Sequence, residues 1–224
     1  GLTGFALEAA QHSLTFFNDY LGIRYSYGKL DIIGIPDFAA GAMENVGAIT
    51  FRESSLLADR QNASLGVRKR VATVLAHEIA HQWFGDLVTM KWWDDIWLNE
   101  GFATWLATKP LLAWKPEWHA ELDDAGDTQG ALTTDAMQST RAIRMKVETP
   151  DQINEIFDSI AYEKTAAVLR MVEHYVGEEP FRKAVSSYLR KYSFSNAAGE
   201  DFWNEVARVT RKPAFSTSLS VKWN

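Results

Sequence analysis

His77 and His81 are four residues apart in LAHEIAHQWF, residues 75–84, and Glu78 stands between them. Four residues is just over one helical turn, so both imidazoles leave the same face of a helix, one above the other. Two nitrogens so placed can reach one ion at about 2.0–2.1 Å each. Glu78 lies about 100° further round the helix than His77, given 3.6 residues per turn, and so flanks the ion without binding it. The rest of the stretch is largely apolar, where an unpaired buried charge is very costly. The chemistry this HExxH spacing suits is metal-assisted hydrolysis, with two ligands and a carboxylate beside an activated water.

A catalytic zinc site takes a third protein ligand and keeps one position open. A third histidine in the metzincin pattern is excluded, because Phe84 and Leu87 occupy the positions where that pattern has its glycine and histidine. The other histidines are His12, His119 and His174, none of them close in sequence. Downstream, WWDDIWLNEGFATW offers Asp94, Asp95 and Glu100. Glu100 is the preferred ligand, since it opens the next expected helix, which can hold its side chain rigidly. A turn between the two helices then brings it to the ion.

The elements that must position these groups follow from periodicity. Residues 5–21 carry apolar side chains at helical spacing with Gly22 as the C-cap. KLDIIGIP is a β-branched run closed by Pro36 and GAITFRE alternates, so both read as strands. A long helix follows, capped near Ser64 and running from residue 65 to 84. Beyond residue 98 helices are expected over 99–108, 116–138, 151–157, 160–176, 179–192 and 199–211, with Gly, Pro and Asn breaks between most of them. Strands first and helices after, without regular alternation, give an α+β class. The strand-bearing lobe covers 1–63 and the helical lobe 64–212; residues 213–224, ending AFSTSLSVKWN, are a strand or a tail.

Composition limits the function classes. The 224 residues carry a net charge of −6, which argues against general nucleic-acid binding. The basic run Arg68–Lys69–Arg70 reads as a solvated helix face. There is no cysteine, which removes disulfides, thiolate ligands and cysteine nucleophiles but leaves the compartment open. No run is apolar enough to span a bilayer, and no leader pattern opens the chain. Gly1 in place of an initiator Met points to an excerpt or a processed product.

With HEIAHQWFGDLVTMKWWDDIWLNEGFA in view, the chain resembles the gluzincin aminopeptidases, the family of aminopeptidase N and leukotriene hydrolase. IPDFAAGAMENVGAITFRE contains that family's GAMEN signature, and IFDSIAYEKTAAVLRM looks like its tyrosine segment. The resemblance covers roughly residues 5–212, with the three motifs in the family's order. It implies a thermolysin-like catalytic domain with the zinc cleft between the two lobes. It also implies a single Zn2+ ion held by His77, His81 and Glu100, with Glu78 as general base and Tyr162 on the oxyanion. Gly41, Ala42, Met43, Glu44 and Asn45 would bind a peptide with a free N-terminus, Glu44 pairing with its ammonium. On spacing alone Tyr162 reads as a core residue in a stripe with Ala166 and Leu169, and Glu44 as a solvated turn residue. Only the resemblance gives them roles.

Three positions depart from the family's usual pattern: Val46 for Trp after GAMEN, Ala107 for a Glu seven residues beyond Glu100, and Thr165 for a Gly near the tyrosine. The family's N-terminal β domain and C-terminal helical domain are also missing. The primary expectation is a zinc aminopeptidase core. The alternatives are a non-catalytic zinc- or peptide-binding module, and an open-cleft, endopeptidase-like relative.

Overall fold

A computed structural model describes residues 1–59, 61–213 and 215. The chain opens with helix α1, Gly4–Leu21, which buries Phe5, Ala9, Phe17 and Leu21 along one stripe and ends at Gly22, whose φ of 62° is the left-handed C-cap expected from the sequence. Three short strands follow: β1 (Asp31–Ile35), β2 (Ala42–Met43) and β3 (Ala48–Arg52). β3 is central. It pairs in parallel with β1, Asp31 opposite Ala48, and antiparallel with β2, Met43 opposite Thr50. β2 is therefore an edge strand of this sheet.

After the one-turn helix α2 (Glu53–Leu56), helix α3 runs Leu65–His81, and the Ser64 hydroxyl accepts from the Val67 N–H. The expected continuation to residue 84 does not form. The chain turns at Gln82, and Gly85 at φ 132° leads into a strand, β4 (Val88–Met90). The turn directs the Trp83 indole N–H to the Ile23 carbonyl and lays Phe84 flat on Phe102, ring centroids 4.6 Å apart. A 3₁₀ turn, Trp93–Asp95, then feeds helix α4, Trp97–Trp114.

α4 is the central rod. It packs against α1, α3 and helix α7 (Thr165–Val176), and most of its side chains are buried. It extends past the expected end at 108 and through Pro110, because buried Leu111 continues its packing against the core. Around it stand α5 (Ala120–Asp135), α6 (Pro150–Glu155), α8 (Glu178–Tyr192) and α9 (Gly199–Thr210). The helix expected over 116–138 is broken at its start: Pro116–Trp118 form a 3₁₀ turn and His119 takes a φ of 50°. The helix expected from 160 begins as a π-helix, Ile160–Lys164.

A further strand, β5 (Ser195–Ala197), lies in the break between the helices expected over 179–192 and 199–211, where no strand was expected, and pairs in parallel with β4, Val88 opposite Ser195. Three-residue strands carry too few residues for alternation to show in the sequence. The basic run is also more engaged than a solvated face: Lys69 pairs with Asp123 on α5 at 2.8 Å and Arg70 donates to the Ser54 carbonyl at 2.9 Å. The fold is predominantly helical with a few short strands, compatible with the α+β class. AFSTSLSVKWN lies outside the described residues except for Phe215.

Candidate active site

α3 presents His77 and His81 one turn apart, and their Nε2 atoms lie 3.1 Å from each other. Oε2 of Glu100, in the first turn of α4, lies 3.3 Å from His77 Nε2 and 3.2 Å from His81 Nε2. The three donor atoms thus form a nearly equilateral triangle. Tetrahedral coordination with bonds of about 2.0–2.1 Å needs ligand atoms roughly 3.3–3.4 Å apart, so the triangle fits a zinc-sized cation and leaves a fourth position free. Among the described residues this is the group of His and carboxylate side chains able to hold a metal ion.

The competing acids are engaged elsewhere. Asp94 accepts from the Val147 N–H at 2.8 Å. Asp95 accepts from the Trp97 indole at 3.0 Å and from the Gly199 N–H at 3.2 Å. A strand and a 3₁₀ turn, rather than the simple turn expected, separate the two ligand-bearing helices.

The imidazoles are oriented from behind. His81 Nδ1 lies 2.9 Å from the Phe84 carbonyl, which fixes the proton on that nitrogen and frees Nε2 for a metal. His77 Nδ1 meets the Thr104 hydroxyl at 3.5 Å. Ala107, one turn further along α4, is a small buried wall of the same cavity. Without a cation, burial holds His77 below its usual pKa. At His81 burial acts the same way, but the Glu100 carboxylate outweighs it and raises the pKa. Burial opposes ionisation of Glu100, yet the two imidazoles hold its pKa well below the carboxylate range.

Glu78 is buried, its Oε2 has no hydrogen-bond partner, and burial pushes its pKa up to about 8. An orphaned buried carboxylate oxygen is expensive unless a ligand or water meets it. Tyr162, in the π-turn, lays its ring parallel to His77 with centroids 5.8 Å apart. Burial, reinforced by Glu100, raises the phenol's pKa, so it stays protonated and able to donate.

These groups share a cavity of about 940 Å³, also lined by Gly41, Ala42, Met43 and Glu44. Glu44 follows the edge strand β2, and its carboxylate Oε1 is 4.0 Å from His81 Nδ1. Asn45 is turned away: its amide donates to the Thr50 hydroxyl at 3.2 Å. Val46 is exposed beside it. Gln82 was not anticipated. Its amide donates to the Glu44 carbonyl at 3.0 Å and accepts from the Gly47 N–H at 3.2 Å, which ties the Glu44 turn to the end of α3. A buried glutamine beside a ligand histidine, in an otherwise apolar stretch, was the available signal. Thr104 was missed for a similar reason: its meaning depends on which helix faces α4.

The model of the peptidase family M1 domain matches residues 5–222. The chain belongs to peptidase family M1. Family M1 relatives include probable aminopeptidase 2 of Sulfurisphaera tokodaii, 50% identical over 93% of this chain and 27% of that protein. Leucyl aminopeptidase of Saccharolobus solfataricus is 48% identical over 92% of the chain and 26% of its own length. Aminopeptidase M1-C of Oryza sativa is 46% identical over 93% of the chain and 24% of its own length. The chain thus spans about a quarter of the length of these M1 relatives. No helix among its described residues is long and apolar enough to cross a membrane.

Proposed function

We propose that this chain carries the catalytic centre of a zinc-dependent aminopeptidase, which hydrolyses the first peptide bond of peptides with a free N-terminus. The triangle of His77, His81 and Glu100, with the unpartnered Glu78 oxygen beside it, carries the reading. The relatives' names, aminopeptidases all three, support it.

His77, His81 and Glu100 would hold one Zn2+, which would supply Lewis acidity toward the scissile carbonyl and lower the pKa of a water toward neutral. Glu78 takes the water's proton and passes it to the leaving amine. Its buried Oε2, which has no other hydrogen-bond partner, is free to hold that proton. The Tyr162 phenol donates a hydrogen bond to the oxyanion that develops on the former carbonyl oxygen. Glu44 pairs with the substrate ammonium and so selects the chain end. The peptide lies along β2, whose outer edge offers backbone groups for strand addition, with Gly41 and Ala42 leaving it room. Met43 borders the first side-chain pocket, and Asn45 braces the turn.

The same reading makes residues 1–212 a thermolysin-like catalytic domain, strand-bearing over 1–63 and helical over 64–212, with the cleft between. Further domains of the same polypeptide would complete it.

The test pairs metal analysis with a fluorogenic aminoacyl amide and its N-acetylated counterpart, each with and without chelator. One zinc per chain, chelator-sensitive cleavage of the free form and none of the capped form are expected. Metal-loaded protein that cleaves neither substrate overturns the reading.

A further inference from the structure

The segment bearing Tyr162 is a π-helix, Ile160–Lys164, in which the Lys164 N–H reaches back five residues to the Ser159 carbonyl at 2.9 Å. π-turns are rare and persist where other contacts hold them. Here Asp158 accepts from the Ile160 and Ala161 N–H groups at the start of the turn, Lys164 pairs with Asp135 at 2.7 Å, and Thr165 closes its far end. The Thr165 hydroxyl donates to the Ile160 carbonyl at 3.0 Å, five residues back, which fills the acceptor that regular α geometry would have given to a backbone N–H. Thr165 itself is buried.

Its methyl does a second job. A Cβ built on Gly101 would lie 2.2 Å from Thr165 Cγ2 and 2.7 Å from Thr165 Cβ. The threonine therefore sits directly on the α4 backbone, at the residue after Glu100. One side chain thus secures the π-turn through oxygen and seats it on α4 through carbon.

We propose that Thr165 is a positioning residue. By holding the π-turn closed and resting on Gly101, it sets where the Tyr162 phenol stands relative to Glu100 and His77. The inference rests on the reading of Tyr162 as the oxyanion donor, but the placement of the ring is measurable without any turnover. If the π-turn relaxes to α geometry, the extra residue is lost and Tyr162 rotates about 100° round the helix, away from His77.

The experiment compares Thr165→Val, which keeps the shape without the hydroxyl, with Thr165→Ser, which keeps the hydroxyl without the methyl. The position of the ring is read from the ¹³C resonance of Tyr162 in tyrosine-labelled protein, assigned by its loss in Tyr162→Phe. Thr165→Val is expected to shift that resonance. It should lower kcat by about 10- to 100-fold, the range a misplacement of roughly 1 Å can cost, with KM and zinc content unchanged. Thr165→Ser should stay close to the parent in both. Thr165→Ala substitutes for Val should that variant fail to fold.

Gly101→Ala tests the carbon contact. It should displace the Tyr162 resonance and lower Tm when Thr165 is present, and do so much less in the Gly101→Ala/Thr165→Gly pair. An unmoved Tyr162 resonance in Thr165→Val overturns the proposal. So does a Ser variant as impaired as Val, or a Gly101→Ala effect independent of residue 165. A parent protein without peptidase activity overturns the proposed function and leaves the resonance to decide this one.

Discussion

The Nε2 atoms of His77 and His81 face each other at 3.1 Å, a distance at which two imidazoles need a proton or a cation between them. Glu100 completes that demand from the opposite helix. Replacing Glu78 with Gln should therefore keep the metal, because Glu78 is outside the triangle, and lower kcat by at least about 100-fold through loss of the base. His77→Ala should lose the metal itself. Metal content and kcat measured on both variants separate the two roles.

Thr104 is the hydrogen-bond partner of the His77 Nδ1. Thr104→Val removes it with little change in volume. Zinc affinity, measured by competition with a chromophoric chelator, should fall by about 10-fold, the lower end of the effect of losing such an outer partner. An unchanged affinity would mean that the packing of α4 alone orients the ring.

Glu44 is assigned to the substrate ammonium, so Glu44→Ala should lower kcat/KM by about 10- to 100-fold for free peptides, the equivalent of roughly 1.5–3 kcal/mol for a charged hydrogen bond. N-acetylated peptides should stay inert with either protein. Equal cleavage of capped and free substrates by the parent chain would contradict the assignment.

Glu173 is buried between α7 and α4 and accepts from the Trp105 indole at 2.9 Å and the Lys109 ammonium at 2.9 Å. Lys109 also lies over the Trp105 ring, 4.8 Å from its centroid. Glu173→Ala strands that ammonium and the indole N–H, and should cost about 3–5 kcal/mol in denaturant unfolding. The double variant Glu173→Leu/Lys109→Met should recover much of the loss.

Glu205 ties α9 to α8, accepting from Ser187, Lys191 and Arg208. Burial opposes its ionisation, but these donors bring its pKa down from 4.5 to about 2. A depressed carboxylate pKa means that the folded state binds its proton less readily. The contribution is therefore complete above pH 4.5 and disappears as pH falls toward 2. It should amount to on the order of 1–2 kcal/mol, since Lys191 and Arg208 are more than half exposed and solvent screens the pairs. The Tm of Glu205→Gln should lie below the parent at pH 7 and converge with it near pH 2.

Legibility followed range. Ser64 and Gly22 cap their helices as local sequence requires, and the four-residue spacing of His77 and His81 needed only helical geometry to be read. Glu100 was readable because a first-turn acid on a helix is held rigidly. β4 and β5 were not, since three residues each, 107 apart in register, gain their meaning only by pairing. Tyr162 shows the limit most clearly. Its i, i+4, i+7 stripe is that of a core residue, and only the π-turn, held by Thr165 and shaped by Gly101, turns the ring onto His77.

Gln82 has a consequence for what such an enzyme could cut. One amide spans from the end of the metal-bearing helix to the Glu44 turn, gripping it on both sides. In the proposed aminopeptidase that ties the turn carrying Glu44, which would read the substrate's ammonium, to the end of the helix bearing both histidine ligands, and so fixes one relative to the other. A peptide would then be shortened by single steps, each new end met by the same carboxylate.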